Sequence, residues 1–186
     1  WADTGRLLTE NFSYDAGTEL YGQGGWIRYG GNTVSPIKVS EGSLVYTGYI
    51  DEPVGHSVKL GETKSAEDLM HFFDGDVKIG SGSVYAAMLI NMESIPDGTP
   101  AYFFNFVQES KAGLADGGNS SEVGRIYAQK SGSGYNLWVN RCTAFSTTGA
   151  VKCATDLSFN TTYLVVLKYE FVEGNTNDIV SLWVNP

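Results

Sequence analysis

The stretch YLVVLKYEFVEGNTNDIVSLWVNP, residues 163–186, holds two strand-length apolar runs around a polar loop. Side chains alternate across a pleated strand, so Tyr163, Val165, Leu167, Tyr169 and Phe171 share one side, and Leu164, Val166, Lys168 and Glu170 the other. The first set is expected to line a core. The loop VEGNTND then joins a strand over Thr162–Phe171 to one over Ile179–Val184 as an antiparallel pair. Asn185 and Pro186 follow at once. The expectation is that they mark a boundary, natural or experimental, inside a longer pattern, or that the sheet keeps a place for another segment.

Outward from this pair, the same period recurs in Leu44–Ile50, Ser83–Met92, Ala101–Val107, Gly124–Lys130 and Tyr135–Asn140. In SVYAAMLINM both faces are apolar, Val84, Ala86, Met88 and Ile90 against Tyr85, Ala87 and Leu89, which predicts a central strand covered on both sides. One short helix is expected where Ser65 and Asp68 resemble a capping box ahead of Leu69, Met70, Phe72 and Phe73. The expected fold is all-β: a two-sheet antiparallel sandwich with at most that one helix, formed as a single domain over residues 1–186. A Gly-rich stretch from Lys111 to Ser121 reads as a surface loop.

Composition agrees, with 42% hydrophobic residues and 23 Gly against 5 Pro. The net charge of −9 disfavours nucleic acid and anionic lipid as partners. No apolar run reaches the roughly 20 residues of a membrane-spanning helix, so no membrane insertion is expected. The first residue is Trp1, which suggests a processed or excised product. Cys142 and Cys153 are separated by ten residues rich in turn formers, and a disulfide stapling a hairpin is expected between them. Such a bridge belongs to an oxidising compartment, hence a secreted or cell-surface protein.

Three stretches together, LLTENFSYDAGTELYGQGGW, GSVYAAMLINME with AYFFNF, and TTYLVVLKYEFVEGNTNDIVSLWVNP, resemble the concanavalin A-like, LamG-type jelly-roll domains of bacterial secreted and surface proteins. The resemblance implies two stacked antiparallel sheets wound as a jelly roll, frequently with bound Ca²⁺ and a carbohydrate or surface-protein partner. Members of the family also continue past the equivalent of SLWVNP into a further strand.

Catalytic signatures are sparse. The paired carboxylates that hydrolases of this fold carry on one strand have no counterpart; Glu170 with Glu173 comes nearest and sits at a strand end. No Gly-x-Ser-x-Gly elbow occurs, and His56 and His71 are the only imidazoles for a lyase-type base. Ca²⁺ is the candidate cofactor. Its densest set of oxygen ligands is Asp74 and Asp76 around a Gly, with Asp15, Glu173 and Asp178 as further candidates. Sugar rings need aromatic faces beside planar polar groups. Two clusters offer them: Trp138 with Asn136 and Asn140 on one side of a strand, and Trp26, Arg28 and Tyr29 in a Gly-rich segment. The expected function is a noncatalytic extracellular module that binds carbohydrate or mediates adhesion. Its rivals are a self-assembling subunit of a fibre, tube or layer joined by strand edges, and, with less support, a polysaccharide lyase or glycoside hydrolase.

Overall fold

Leu167 and Val165 have no exposed surface and Tyr169 almost none, while Leu164, Val166, Lys168 and Glu170 keep partial exposure, so the alternation in the 163–171 run is realised. The computed structural model describes residues 5–31, 33–49, 54–61, 67–74, 81–107, 122–141, 149–174 and 177–186. Among these residues there are eleven strands and no helix. In chain order they are β1 Ile27–Gly31, β2 Lys38–Ser40, β3 Ser57–Lys59, β4 Glu67–Met70, β5 Gly82–Asn91, β6 Ala101–Val107, β7 Glu122–Ser131, β8 Gly134–Asn140, β9 Ala150–Ser158, β10 Thr162–Phe171 and β11 Ile179–Val184. The protein is all-β, and every strand pair is antiparallel.

Two sheets carry the main core. One is three-stranded in the order β11-β10-β5, and the other four-stranded in the order β6-β7-β8-β9. Their inner faces meet through Ile90, Ile126, Ala128, Tyr135, Leu137, Val139, Val165 and Leu167. Contact is close at Gly124, whose φ is +61°: an added Cβ would lie 3.3 Å from both the Phe106 and Tyr169 rings. Glycine there both bends β7 at its irregular pairing with β6 and lets the sheets approach.

Ahead of this sandwich, two small sheets pair β1 with β4 and β2 with β3. Leu20, Ile37 and Val39 form a separate buried cluster there, with Phe12, Tyr14, Trp26, Val58 and Leu69 packed on it. Strands of three to five residues cannot bury much by themselves, and carboxylates do the joining. Glu10 accepts hydrogen bonds from the Phe12 amide, the Tyr14 hydroxyl and the Trp26 indole at 2.6, 2.9 and 2.8 Å. Glu67, 2% exposed, accepts from Arg28 Nε and Nη2 and from the Ile37 amide.

Three local expectations are corrected. The short helix expected from Ser65 through Phe73 is absent from its described part, where Glu67–Met70 is strand β4, because Glu67 is drawn to Arg28 and Ile37, far away in sequence, and β1 supplies a ladder to pair with; Ser65 lies outside the described residues. Residues 44–49 of the predicted Leu44–Ile50 strand form no strand, and Tyr46–Tyr49 make a turn closed by the Tyr49 amide on the Tyr46 carbonyl; Ile50 lies outside the described residues. Among the described residues strand β5 is not central: β10 occupies the middle of its sheet, and Tyr85 on β5 is 60% exposed. Conversely, β9 was not legible as a strand, being a polar edge whose pairing with β8 shifts register between Tyr135 and Trp138.

Candidate functional site

The two aromatic clusters singled out in the sequence are occupied by the fold. Trp138 lies opposite Tyr127 on β7 and Lys152 on β9, on the outer face of the four-stranded sheet. The Lys152 ammonium sits 5.0 Å over the indole, and Asn136 and Asn140 are only 5% and 4% exposed. Asn136 spends its side-chain oxygen on the Asp156 amide, which steadies the left-handed backbone of Asp156 at φ 58°. That face is also covered further along: the Tyr102 hydroxyl donates to Asp68 Oδ2 from β4, and Arg125, salt-bridged to Glu122, lies over the Tyr102 ring. Burial pushes the Tyr102 hydroxyl up to about 12 and raises the Asp68 carboxyl above its ordinary value.

Trp26, Arg28 and Tyr29 do not make one surface. Trp26 is sandwiched between Phe12 and the edge of His71, Arg28 is bound to Glu67 and stacks over Tyr21, and Tyr29 is buried against Met70 and Val107 on the opposite side of β1. The histidines are also engaged. His56 Nδ1 accepts from the Gly42 amide, and the His71 ring contacts the Gly24 and Phe72 carbonyls.

Among the described residues no group of three His, Cys, Asp or Glu side chains is placed to hold an ion. Asp178 accepts from the Tyr169 hydroxyl at 2.7 Å and the Val172 amide at 2.9 Å, and these bonds hold its carboxyl below the usual range. Glu173 offers its backbone carbonyl to Asn177 beside it, Asp15 is an exposed turn residue whose carbonyl takes Thr18, and Asp74 is exposed with its amide on the Leu7 carbonyl. Asp76 lies outside the described residues. So does Cys142; Cys153 is a free thiol, and the described residues contain no disulfide. The Cys153 sulfur rests against the Leu137 carbonyl at 3.4 Å, and burial there pushes the thiol up to about 11.

What the structure does assemble is the outer face of the three-stranded sheet. Ladder pairing places Tyr85, Lys168 and Ser181 in one row across β5, β10 and β11, and Ala87, Val166 and Trp183 in the next. Tyr85 is 60%, Trp183 43% and Ile179 49% exposed. Lys168 Nζ pairs with Glu170 Oε2 at 2.5 Å along the middle strand. At the β5 edge the Tyr49 hydroxyl reaches the Ala87 carbonyl at 3.5 Å, so the Tyr46–Tyr49 turn borders the second row. Two exposed rings thus flank a low floor, Ala87 and Val166, with a matched cation and anion beside it. The sequence signal for Trp183 was its phase: it points away from Leu182 and Val184, which pack inward. Tyr85 was hidden by the apolar character of both sides of its strand. The chain matches no protein-family model, no curated protein and no solved structure.

Proposed function

We propose that this protein is a noncatalytic, extracellular carbohydrate-binding or adhesion module, and that its binding surface is the outer face of the three-stranded sheet. The observation that carries this reading is the pair of exposed rings, Tyr85 and Trp183, on the two outer strands of one face. A sugar ring has an apolar face of C–H groups and a rim of hydroxyls; aromatic side chains meet the first, and the Lys168–Glu170 pair supplies donors and acceptors for the second. The resemblance to concanavalin A-like, LamG-type jelly rolls points the same way, and secretion to the cell surface is part of the proposal. Ca²⁺ enters it only as a structural ion near Asp74 and Asp76; a melting temperature raised by millimolar Ca²⁺ and restored by EDTA would support that ion.

A glycan array followed by titration of intrinsic tryptophan fluorescence tests the module. Saturable binding to at least one glycan, lost in the Tyr85→Ala/Trp183→Ala double variant with an unchanged melting temperature, is the expected result. Binding untouched by the double variant would remove this face from the proposal.

Self-assembly is the second reading, favoured by Ile179, also exposed on that face, and by β5 lying at the edge of its sheet among the described residues. Gel filtration across a wide concentration range separates the two. A monomer throughout argues for the module, and concentration-dependent growth abolished by Ile179→Lys argues for the subunit.

A further inference from the structure

We infer that the ligand of this face is an uncharged, extended oligosaccharide that crosses all the strands of the three-stranded sheet diagonally, stacking on Tyr85 at one end and on Trp183 at the other. The inference rests on the carbohydrate reading and narrows it to a ligand class and a binding direction.

Length follows from the ladder. Tyr85 pairs with Lys168 and Trp183 with Val166, so the two aromatics are separated by two strand spacings across the sheet and one same-face step along it. With strands about 4.8 Å apart and residues about 3.4 Å apart along each, their Cα atoms are on the order of 12 Å from one another. A single sugar ring cannot touch both; a short chain can.

Direction follows from what surrounds the rings. The Ala87 end of the Ala87–Val166–Trp183 row borders the Tyr46–Tyr49 turn, whose Tyr49 hydroxyl reaches the Ala87 carbonyl at 3.5 Å. The diagonal from Trp183 to Tyr85 ends one same-face step away from Ala87 and passes over β10 between Val166 and Lys168.

Charge follows from the ion pair. Lys168 is the cation of this face among the described residues, and Glu170 already neutralises it at 2.5 Å. The protein as a whole carries −9. A polyuronate or sulfated chain would meet no uncommitted positive group here and would approach against the net field, whereas hydroxyls can share both members of the pair.

The test is calorimetric titration with two probe sets: neutral oligosaccharides (cellohexaose, xylohexaose, mannohexaose and laminarihexaose, each beside its own disaccharide) and hexagalacturonate as the acidic counterpart. Expected is binding of at least one neutral hexasaccharide about tenfold or more tighter than its disaccharide, with Tyr85→Ala and Trp183→Ala each weakening it by about tenfold, and no binding of hexagalacturonate. Both rings are exposed, so the variants should fold, and Tyr85→Phe should retain affinity because it keeps the stacking face. A disaccharide as tight as its hexasaccharide, an effect of only one of the two alanine variants, or preference for hexagalacturonate overturns the inference while leaving carbohydrate binding standing. Failure of every probe to bind overturns both.

Discussion

The two outer faces of the sandwich carry similar side chains and have opposite fates. On the four-stranded sheet, Tyr127 and Trp138 stand side by side with Lys152, and on the three-stranded sheet Tyr85 and Trp183 flank Lys168. In the first, the lysine lies over the indole, Tyr127 is 2% exposed, and β4 reaches across to Tyr102. In the second, the lysine turns along its own strand to Glu170 and both rings remain in solvent. An outward-pointing aromatic therefore has no meaning until the neighbour above it is known. Part of the cover on the first face comes from the region before the sandwich, and that region is held by the Glu10 and Glu67 carboxylates rather than by long strands.

The contrast can be broken most severely at Glu67. Glu67→Ala strips Arg28 and the Ile37 amide of their acceptor and should cost about 3 kcal/mol, at the low end for a broken buried pair because Arg28 is partly exposed. Hydrogen exchange should then show protection lost in β1, β2 and β4 while β7, β8 and β10 retain theirs. Uniform loss would mean that the two regions unfold as one unit.

Trp138→Ala and Trp183→Ala sharpen the comparison directly. The first removes a ring packed between Tyr127 and Lys152 and should cost about 2 kcal/mol in urea denaturation. The second should stay within about 0.5 kcal/mol of the parent, as an exposed substitution does. Equal costs would show that the two faces are equally buried in solution.

A smaller effect is expected at the loop joining β10 and β11, beneath the open face. Asp178 has its carboxyl lowered by the Tyr169 hydroxyl first and the Val172 amide second. Its stabilising contribution is complete above the unfolded carboxyl value of about 3.9 and is lost as pH falls through the lower folded value. Asp178→Asn should therefore destabilise by about 1 kcal/mol at neutral pH and converge with the parent in acid. A constant gap at all pH values would rule out this charge as the cause.

How legible each part was follows the same division. Where a strand is long and one side is sealed, as in Thr162–Phe171, the period of the pleat fixes both the element and its inward side; in Ala101–Val107 the bounds agree with the structure, while register shifts bring both Phe103 and Phe104 onto the core. Where stability comes from a carboxylate gathering donors from distant positions, as Glu67 does from Arg28 and Ile37, local pattern misleads, and the Ser65–Asp68 helix signal was overridden. The exposure of an outward aromatic was illegible for a related reason. Trp138 and Trp183 show the same out-of-phase placement between inward residues, and only the covering of one face tells them apart. Among the acid candidates, Asp178 is engaged by its own loop, which no local pattern announces.

Asn185, where the strand pattern gives out, has a consequence for how the open face can change. Its side-chain oxygen accepts the Leu164 amide at 2.9 Å while its own amide donates to the Leu164 carbonyl at 2.8 Å, pinning β11 on β10. A slip of one residue would turn Trp183 into the core and expel Leu182 and Val184. Trp183 and the side chains that seal the sandwich are thus coupled to a single register. The chemistry of this face can drift through the identity of residue 183, but not through where β11 presents it.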